Sequence, residues 1–284
     1  MVAQKKHTAA KRKSIPKRRV APRSPKKRRK KAMPAWLRNL TAIFIITLFS
    51  VGFYWFFIRP YAYRWKPCHG TKAYGVCIPG NYEVHGIDVS HHQGFINWEK
   101  LTANKDLNFP IQFIFIKATE GGDHSDFAFS HNFREARKHG FIRGAYHYFN
   151  PKTDARKQAD FFIRTVPLVK GDLPPVLDVE KTGKHSTADF RMAVKIWLDR
   201  VEAHYGVKPI LYTSYKFKTK YLDDPAFDSY PYWIAHYYVD SVAYVGQWRF
   251  WQHTDVGTVP GIKEEVDLNV FNGSLDELKA LSLH

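Results

Sequence analysis

The distribution of apolar residues divides the chain into three parts. Up to residue 31 the chain is basic and contains no apolar run. Residues 40–58 form one uninterrupted apolar stretch, and from residue 82 short apolar runs alternate with helical patterns. This distribution predicts a polar tail, a single membrane helix and a folded domain.

Eight apolar runs in the third part have the length and composition of buried strands. Strands that alternate with helices favour a parallel sheet, and eight of them favour closure into a barrel. The last three runs lack good helical patterns between them. We therefore predict an α/β fold, an irregular TIM-like barrel with eight strands and fewer than eight helices. The predicted strands are 84–89, 113–117, 142–149, 176–179, 210–212, 233–236, 248–252 and 266–270.

The longest predicted helix of this part has clear end signals. Ser186 with Asp189 three residues later is typical of an N-cap, and Gly206 follows the last apolar residue of the stripe. The stripe consists of Phe190, Val194, Trp197, Val201 and Tyr205.

The net charge of +18 belongs to the tail. Residues 1–38 hold 16 of the 44 Lys and Arg residues and no acid, which leaves 28 basic and 26 acidic residues elsewhere. The folded part is therefore not basic, and no nucleic-acid partner is expected for it. Anionic lipid headgroups explain the basic tail more simply than a nucleic acid does, although phosphates attract any polybasic segment.

Residues 40–58 predict a transmembrane helix. They contain no charge, and as a helix they extend about 28 Å, close to the hydrocarbon thickness of a bilayer. The basic tail places the amino terminus in the cytoplasm, so the rest is exported as a single-pass protein of the inner membrane. A cleaved signal peptide and a buried helix are the alternatives. The predicted organisation is a disordered cytoplasmic tail (1–39), the helix (40–58), a linker (59–81) and a folded domain (82–284).

The two cysteines, Cys68 and Cys77, lie in the predicted linker. Export to an oxidising compartment favours a disulfide between them, with two free thiols as the alternative. Two cysteines alone do not supply a closed structural zinc site.

Four acids lie at or near predicted strand ends, where a barrel of this kind places its active site. They are Asp88, Asp178, Glu180 and Asp267. Alternation along a strand puts Asp178 and Glu180 on one face, with Cα atoms about 6.6 Å apart. Crowding predicts that one of the two has a raised pKa and serves as a proton donor. A salt bridge, a helix cap or a metal site would use the same spacing.

Aromatic residues near the strand ends suit the faces of sugars, although the same rings could fill the core. The candidates for substrate binding are Tyr146, Tyr148, Tyr212, Trp233 and Gln252. Histidines raise the alternative of a metal-dependent hydrolase, but none has a metal-binding spacing such as His-Glu-x-x-His, and neither metal nor cofactor is expected. The histidines considered are His91, His92, His147, His236 and His253.

Seven sequence blocks resemble glycoside hydrolase family 25, the lysozymes of the Chalaropsis type. They occur in the family's order over roughly 190 residues, and the acidic positions show no departure. The blocks are GIDVSHHQG (86–94), IKATEG (116–121), GAYH (144–147), PVLDVE (175–180), YWIAHY (232–237), WQHT (251–254) and VDLN (266–269).

The resemblance implies an irregular eight-stranded barrel that hydrolyses the β-1,4 bond between N-acetylmuramic acid and N-acetylglucosamine in peptidoglycan. It implies that Glu180 is the general acid and that Asp178 assists the second step. It also implies that Asp88 and Asp267 line the same groove, with Tyr146 and Gln252 as substrate-binding residues. The carboxylate spacing fits retaining and inverting mechanisms alike. We favour a third route, in which the 2-acetamido oxygen of the substrate is the nucleophile and Asp178 orients it.

Two further functions use the same features. One is an inactive peptidoglycan-binding module tethered to the membrane, and the other is a tethered scaffold. The presence of all four acids favours an enzyme. A tethered muramidase indicates cell-wall remodelling, with peptidoglycan strands and membrane lipids as partners.

Overall fold

The structure, a computed structural model, describes residues 33–59, 68, 71–103 and 109–284. The chain divides into two compact units, residues 1–60 and 61–284. The predicted tail up to residue 32 lies outside the described residues.

The described residues of the first unit form one apolar helix. Helix α1 (Ala35–Phe53) continues as a π-helical segment (Tyr54–Ile58), so the helix begins five residues before the predicted span. The 24 residues from Ala35 to Ile58 include an 18-residue window with a mean hydropathy of 2.1, and no residue of α1 is buried. Length and composition thus permit a membrane span, as they also permit a signal sequence.

The first strands that the structure describes in the second unit form a small hairpin inside the predicted linker, β1 (Thr71–Ala73) and β2 (Val76–Ile78). A disulfide joins Cys68 to Cys77, whose Cα atoms are 5.5 Å apart. Tyr74 at the turn is buried, and its hydroxyl donates to the carbonyl oxygen of Phe109 at 2.6 Å. The hairpin therefore packs on the folded domain, because its apolar residues join the domain's core.

Eight strands close into a barrel, as predicted. The hydrogen-bonded order is β3-β11-β10-β9-β8-β7-β6-β4, and pairing of β3 with β4 completes the ring. A two-residue strand, β5 (His124–Ser125), extends the end of β4. The barrel strands are β3 (Val84–Val89), β4 (Ile111–Glu120), β6 (Ile142–Tyr148), β7 (Val176–Asp178), β8 (Ile210–Ser214), β9 (Tyr232–Ala235), β10 (Trp248–Gly257) and β11 (Val266–Phe271).

The prediction of a parallel sheet is wrong for β11. This strand runs antiparallel to both of its neighbours, β10 and β3, whereas the other barrel pairs are parallel. Only residues 258–265 connect β10 to β11. A parallel crossover needs a dozen or more residues, so this connection returns the chain in the opposite direction.

Helices cover the outside of the barrel, and the described residues of the second unit contain six α-helices. The predicted caps of the longest one are confirmed: the Ser186 side chain accepts from the backbone N–H of Asp189, and Gly206 ends the helix at φ 72°. The six are α2 (Trp98–Ala103), α3 (Phe129–Lys138), α4 (Ala155–Thr165), α5 (Thr187–Tyr205), α6 (Tyr215–Tyr221) and α7 (Leu275–Leu281).

A layer of aromatic rings fills the barrel interior. The ring of Phe115 stacks on Trp233 with centroids 4.4 Å apart. Gly86 and Gly144 make room for this layer, since a Cβ on either would lie within 2.5 Å of a Phe113 or Phe115 ring carbon. The filled interior confines a binding site to the mouth formed by the carboxyl ends of the parallel strands.

Candidate active site

The four predicted acids come from three strands of the barrel. Asp88 lies in β3 and Asp267 in β11, and the two are direct register partners. Asp178 ends β7, and Glu180 follows two residues later. Leu177 and Val179 pack in the core cluster between strands and helices, whereas Val176 packs in the cluster of interior rings. Alternation therefore turns Asp178 and Glu180 toward the inside of the mouth.

Two side-chain amides hold the Asp88 carboxylate. Gln252 Nε2 and Asn269 Nδ2 both donate to its Oδ2, at 2.8 and 2.7 Å. The Trp233 indole N–H donates to Asn269 Oδ1 at 2.8 Å. Because an indole nitrogen can only donate, this contact turns the Asn269 NH2 group toward Asp88.

Two tyrosines fix the second amide in the same way. The hydroxyls of Tyr212 and Tyr237 each donate to Gln252 Oε1 at 2.7 Å. Asp88 thus sits at the centre of a network in which every amide orientation is determined.

Burial raises the pKa of three of the four acids. It raises the pKa of Asp88 to about 7, although the hydrogen bonds from Asn269 and Gln252 oppose the shift. Burial, and then the charge of Asp88, raises the pKa of Asp267 to about 9. The pKa of Asp178 lies well above its usual value because of burial first and the charge of Glu180 second. Crowding, the predicted cause, is thus the smaller contribution, and the raised pKa of the pair lies on Asp178, whereas the resemblance assigns the general acid to Glu180.

Asp178 and Glu180 differ in their surroundings. Asp178 is buried, and its Oδ1 has no hydrogen-bond partner. Glu180 is exposed. No lysine or arginine of the described residues forms an ion pair with either carboxyl group. An unpartnered buried oxygen is costly, which makes it a candidate acceptor for a donor on the substrate.

Glu180 lies in the wall of a pocket of about 350 Å³ at the mouth. The rings of Tyr215 and His236 stack there with centroids 4.8 Å apart and planes at 16°. Flat rings around a carboxyl group suit a sugar residue. The lining residues are Glu180, Tyr212, Ser214, Tyr215, Lys216, Ala235, His236 and Tyr237.

The predicted substrate-binding residues occupy different places. Tyr212 lines the pocket. Trp233 and Gln252 are each only 2% exposed and belong to the Asp88 network, in which Gln252 donates to Asp88 and Trp233 donates to Asn269. Tyr146 meets the Trp233 ring edge-on at 6.5 Å. Tyr148 lies under two ammonium groups, with Lys117 Nζ 5.0 Å and Lys181 Nζ 5.4 Å from its ring centroid.

Three of the histidines considered in the sequence have supporting roles. His91 binds the buried Asp126 carboxylate through Nδ1 at 2.7 Å. His147 is fully buried between Thr119 and Gln158. His236, as described, forms part of the pocket wall.

The sequence reasoning missed two residues of the Asp88 network. Asn269 stands two residues after Asp267, so the alternation applied to Asp178 and Glu180 would have placed it on the inner face of β11. Tyr237 was not among the predicted substrate-binding residues and occurs in the sequence analysis only within the block YWIAHY (232–237). Its role depends on β9 lying next to β10, which no local signal reveals.

Comparisons with known proteins give consistent matches. The sequence model described as glycosyl hydrolases family 25 matches residues 87–262. The chain is 45% identical to uncharacterized protein YegX of Escherichia coli K12, over 79% of this chain and 80% of that one. It is 34% identical to Lysozyme M1 of Streptomyces globisporus, over 70% and 71%. A solved family 25 glycosyl hydrolase from Bacillus anthracis aligns with a TM-score of 0.64 at 33% identity, over 72% and 95%.

The raised pKa of Asp267 predicts a pH-dependent effect on stability. An exposed aspartate loses its proton near pH 3.8, but folded Asp267 keeps it up to about pH 9. The unfolded chain is therefore favoured increasingly as pH rises across this window. Asp267→Asn should raise the Tm of the full-length protein at pH 8 by at least about 2 °C, and the gain should shrink toward pH 4. Thermal unfolding followed by tryptophan fluorescence measures both.

The matched control is Asp240→Asn, which changes an exposed carboxylate in the loop between β9 and β10. It should leave Tm within the experimental error at both pH values. A Tm gain for Asp267→Asn that is the same at pH 4 and pH 8 would contradict the titration argument.

Proposed function

The chain belongs to glycosyl hydrolase family 25, and from this premise we propose that it is a membrane-tethered muramidase that cuts peptidoglycan by substrate-assisted catalysis. The family makes the chain a glycoside hydrolase of the lysozyme type. One observation carries the proposed mechanism: Asp178 and Glu180 face the same mouth in different environments.

Glu180 is the proposed general acid. It lies in the pocket wall and forms no ion pair within the described residues, so it is free to approach the glycosidic oxygen. It protonates this oxygen as the bond to C1 of N-acetylmuramic acid breaks. The resulting carboxylate then removes a proton from the water that completes hydrolysis.

Asp178 is the proposed orienting residue. Its buried Oδ1 lacks a partner, and the N–H of a 2-acetamido group would supply the missing donor. The raised pKa makes Asp178 a stronger base than an ordinary aspartate, so its interaction with this N–H strengthens as positive charge develops on the acetamido group. The acetamido oxygen attacks C1 and forms an oxazolinium ring, which water later opens.

Asp88 and Asp267 support the site rather than transfer the proton. The Asp88 network joins β3, β9, β10 and β11, and its charge raises the pKa of both Asp178 and Asp267. The network keeps the mouth rigid around the cationic transition state.

Substitution of the two β7 carboxyls tests the assignment. Glu180→Gln should lower the rate of reducing-end release from purified peptidoglycan by a factor on the order of 10³ or more, because the proton donor is lost. Asp178→Asn should cost less, on the order of 10², because the orienting acceptor is weakened but the acid remains. Glu264→Gln, which changes an exposed carboxyl outside the pocket, is the matched control. Near-normal turnover by Glu180→Gln, with circular dichroism unchanged, would remove Glu180 from this role.

Product stereochemistry tests the substrate-assisted route separately. Attack by the acetamido oxygen and then by water inverts C1 twice, so the first product should be the β-anomer. Proton NMR during the first turnovers distinguishes it from the α-anomer before mutarotation. A substrate with de-N-acetylated muramic acid should resist cleavage. The α-anomer as first product would exclude this route while leaving Glu180 as the acid.

The membrane tether is the second part of the proposal. The exposed apolar residues of α1 and of the π-helical segment support it, together with the basic residues before them. On the positive-inside rule the amino terminus lies in the cytoplasm and residues 82–284 act outside the membrane. This arrangement suits remodelling of the cell's own wall.

Fractionation of cells that express the full chain tests this topology. The chain should remain in the membrane pellet after a carbonate wash, because a spanning helix is not released by salt or base. A carboxyl-terminal tag should be accessible to protease in spheroplasts, and an amino-terminal tag should be protected. A shorter soluble chain that starts after Arg59 would identify a cleaved signal peptide instead.

A further inference from the structure

One ammonium group at the pocket has no partner among the described residues. Lys216 lies in the first turn of α6 and lines the pocket that contains Glu180. The start of α6 is fixed because the Ser214 side chain caps the backbone N–H of Phe217. The other lysines of α6 are occupied: Lys218 pairs with Asp223 at 3.0 Å, and Lys220 lies 4.8 Å from the centroid of the Tyr221 ring.

Lys216 and Glu180 share this pocket without forming an ion pair. Each charge is therefore open to the substrate. A lysine that served to hold Glu180 in place would be expected to contact it. The neighbouring Lys181 does not supply the same feature, because its ammonium lies over Tyr148 on the β6 side of the mouth.

The size and lining of the pocket limit the chemical groups that the Lys216 ammonium can bind. A volume of about 350 Å³ is near the lower end for small-molecule sites and suits one sugar with a substituent. The stacked Tyr215 and His236 rings can cover a sugar face, while an ammonium is suited to a carboxylate.

We propose that Lys216 is a specificity-determining residue that binds a carboxylate attached to the muramic acid of the substrate. This inference rests on the proposed function. Of the two sugars in peptidoglycan, only muramic acid carries a lactyl ether, which ends in a free carboxylate or in a stem peptide with further carboxylates. Because Lys216 lies in the same pocket as the acid Glu180, its contact selects the register in which muramic acid precedes the bond to be cut.

Three forms of one substrate test the proposal. Intact peptidoglycan presents stem-peptide carboxylates, amidase-treated glycan presents the lactyl carboxylate, and peptidoglycan coupled to methylamine by carbodiimide presents neither. The readout is the ratio of kcat/KM on each charged form to kcat/KM on the neutralised form. In full-length protein in detergent, Lys216→Met should lower this ratio by about two- to fivefold, the effect of one exposed charge pair.

Lys220→Met is the matched control, because it removes an ammonium one turn farther along α6, outside the pocket. Its ratio should equal that of the wild type. Raising ionic strength from roughly 0.02 to 0.3 M should bring the wild-type ratio toward that of Lys216→Met, because screening weakens an exposed pair. A loss restricted to intact peptidoglycan identifies the stem carboxylates, and a loss restricted to amidase-treated glycan identifies the lactyl carboxylate.

An unchanged ratio in Lys216→Met, or an equal loss on the neutralised substrate, would overturn the proposal. Binding of soluble muropeptides to Glu180→Gln, with and without Lys216→Met, separates this failure from failure of the proposed function. Calorimetry should show a two- to fivefold weaker Kd in the double variant. This measurement needs no turnover, so equal Kd values would reject the role of Lys216 even if the wild type cut no peptidoglycan.

Discussion

The main physical constraint on the structure is the burial of carboxyl groups at the mouth of the barrel. Asp88 and Asp178 are each 7% exposed, and neither forms an ion pair within the described residues. Burial of this kind disfavours the charged form and is the largest cause of the raised pKa at Asp88, Asp178 and Asp267. A fold selected for stability alone would neutralise or replace these groups, so the remaining interactions of the mouth compensate for them.

The Asp88 network provides much of this compensation. Two amides donate to one carboxylate oxygen, and groups from strands farther along the sheet orient both amides. Below them the stacked Phe115 and Trp233 rings fill the barrel interior, so the strands cannot move closer to one another. The acids are thus held at positions set by backbone register, which is the precision that charge stabilisation in a transition state requires.

The sequence alone was sufficient to predict the features of the fold and site that depend on local patterns. Alternation in PVLDVE places Asp178 and Glu180 on one face, and apolar runs locate the eight barrel strands. It was not sufficient where the answer depends on distant segments. The direction of β11 follows from a short connection, and the pocket combines Glu180 with residues that follow β8 and β9. The physical cause of the raised pKa values also needed the fold, because burial cannot be measured from spacing.

Buried histidines are a second set of groups with shifted pKa values. Their effect on the pH dependence of stability has the opposite sign to that of the aspartates. Burial lowers the pKa of His85 and His147 to about 4 and that of His253 to about 3. The unfolded chain takes up these three protons near pH 6.5, so stability falls as pH drops from 6.5 toward 4.

The three aspartates of the mouth act in the other direction, since the folded chain keeps protons that the unfolded chain loses near pH 3.8. For these six groups the two slopes have opposite signs between about pH 4 and 6.5. Above pH 6.5 the histidine contribution is constant and only the aspartates still titrate differently in the two states. Among these six groups, the loss of stability above pH 6.5 therefore comes from the carboxyl groups of the candidate active site.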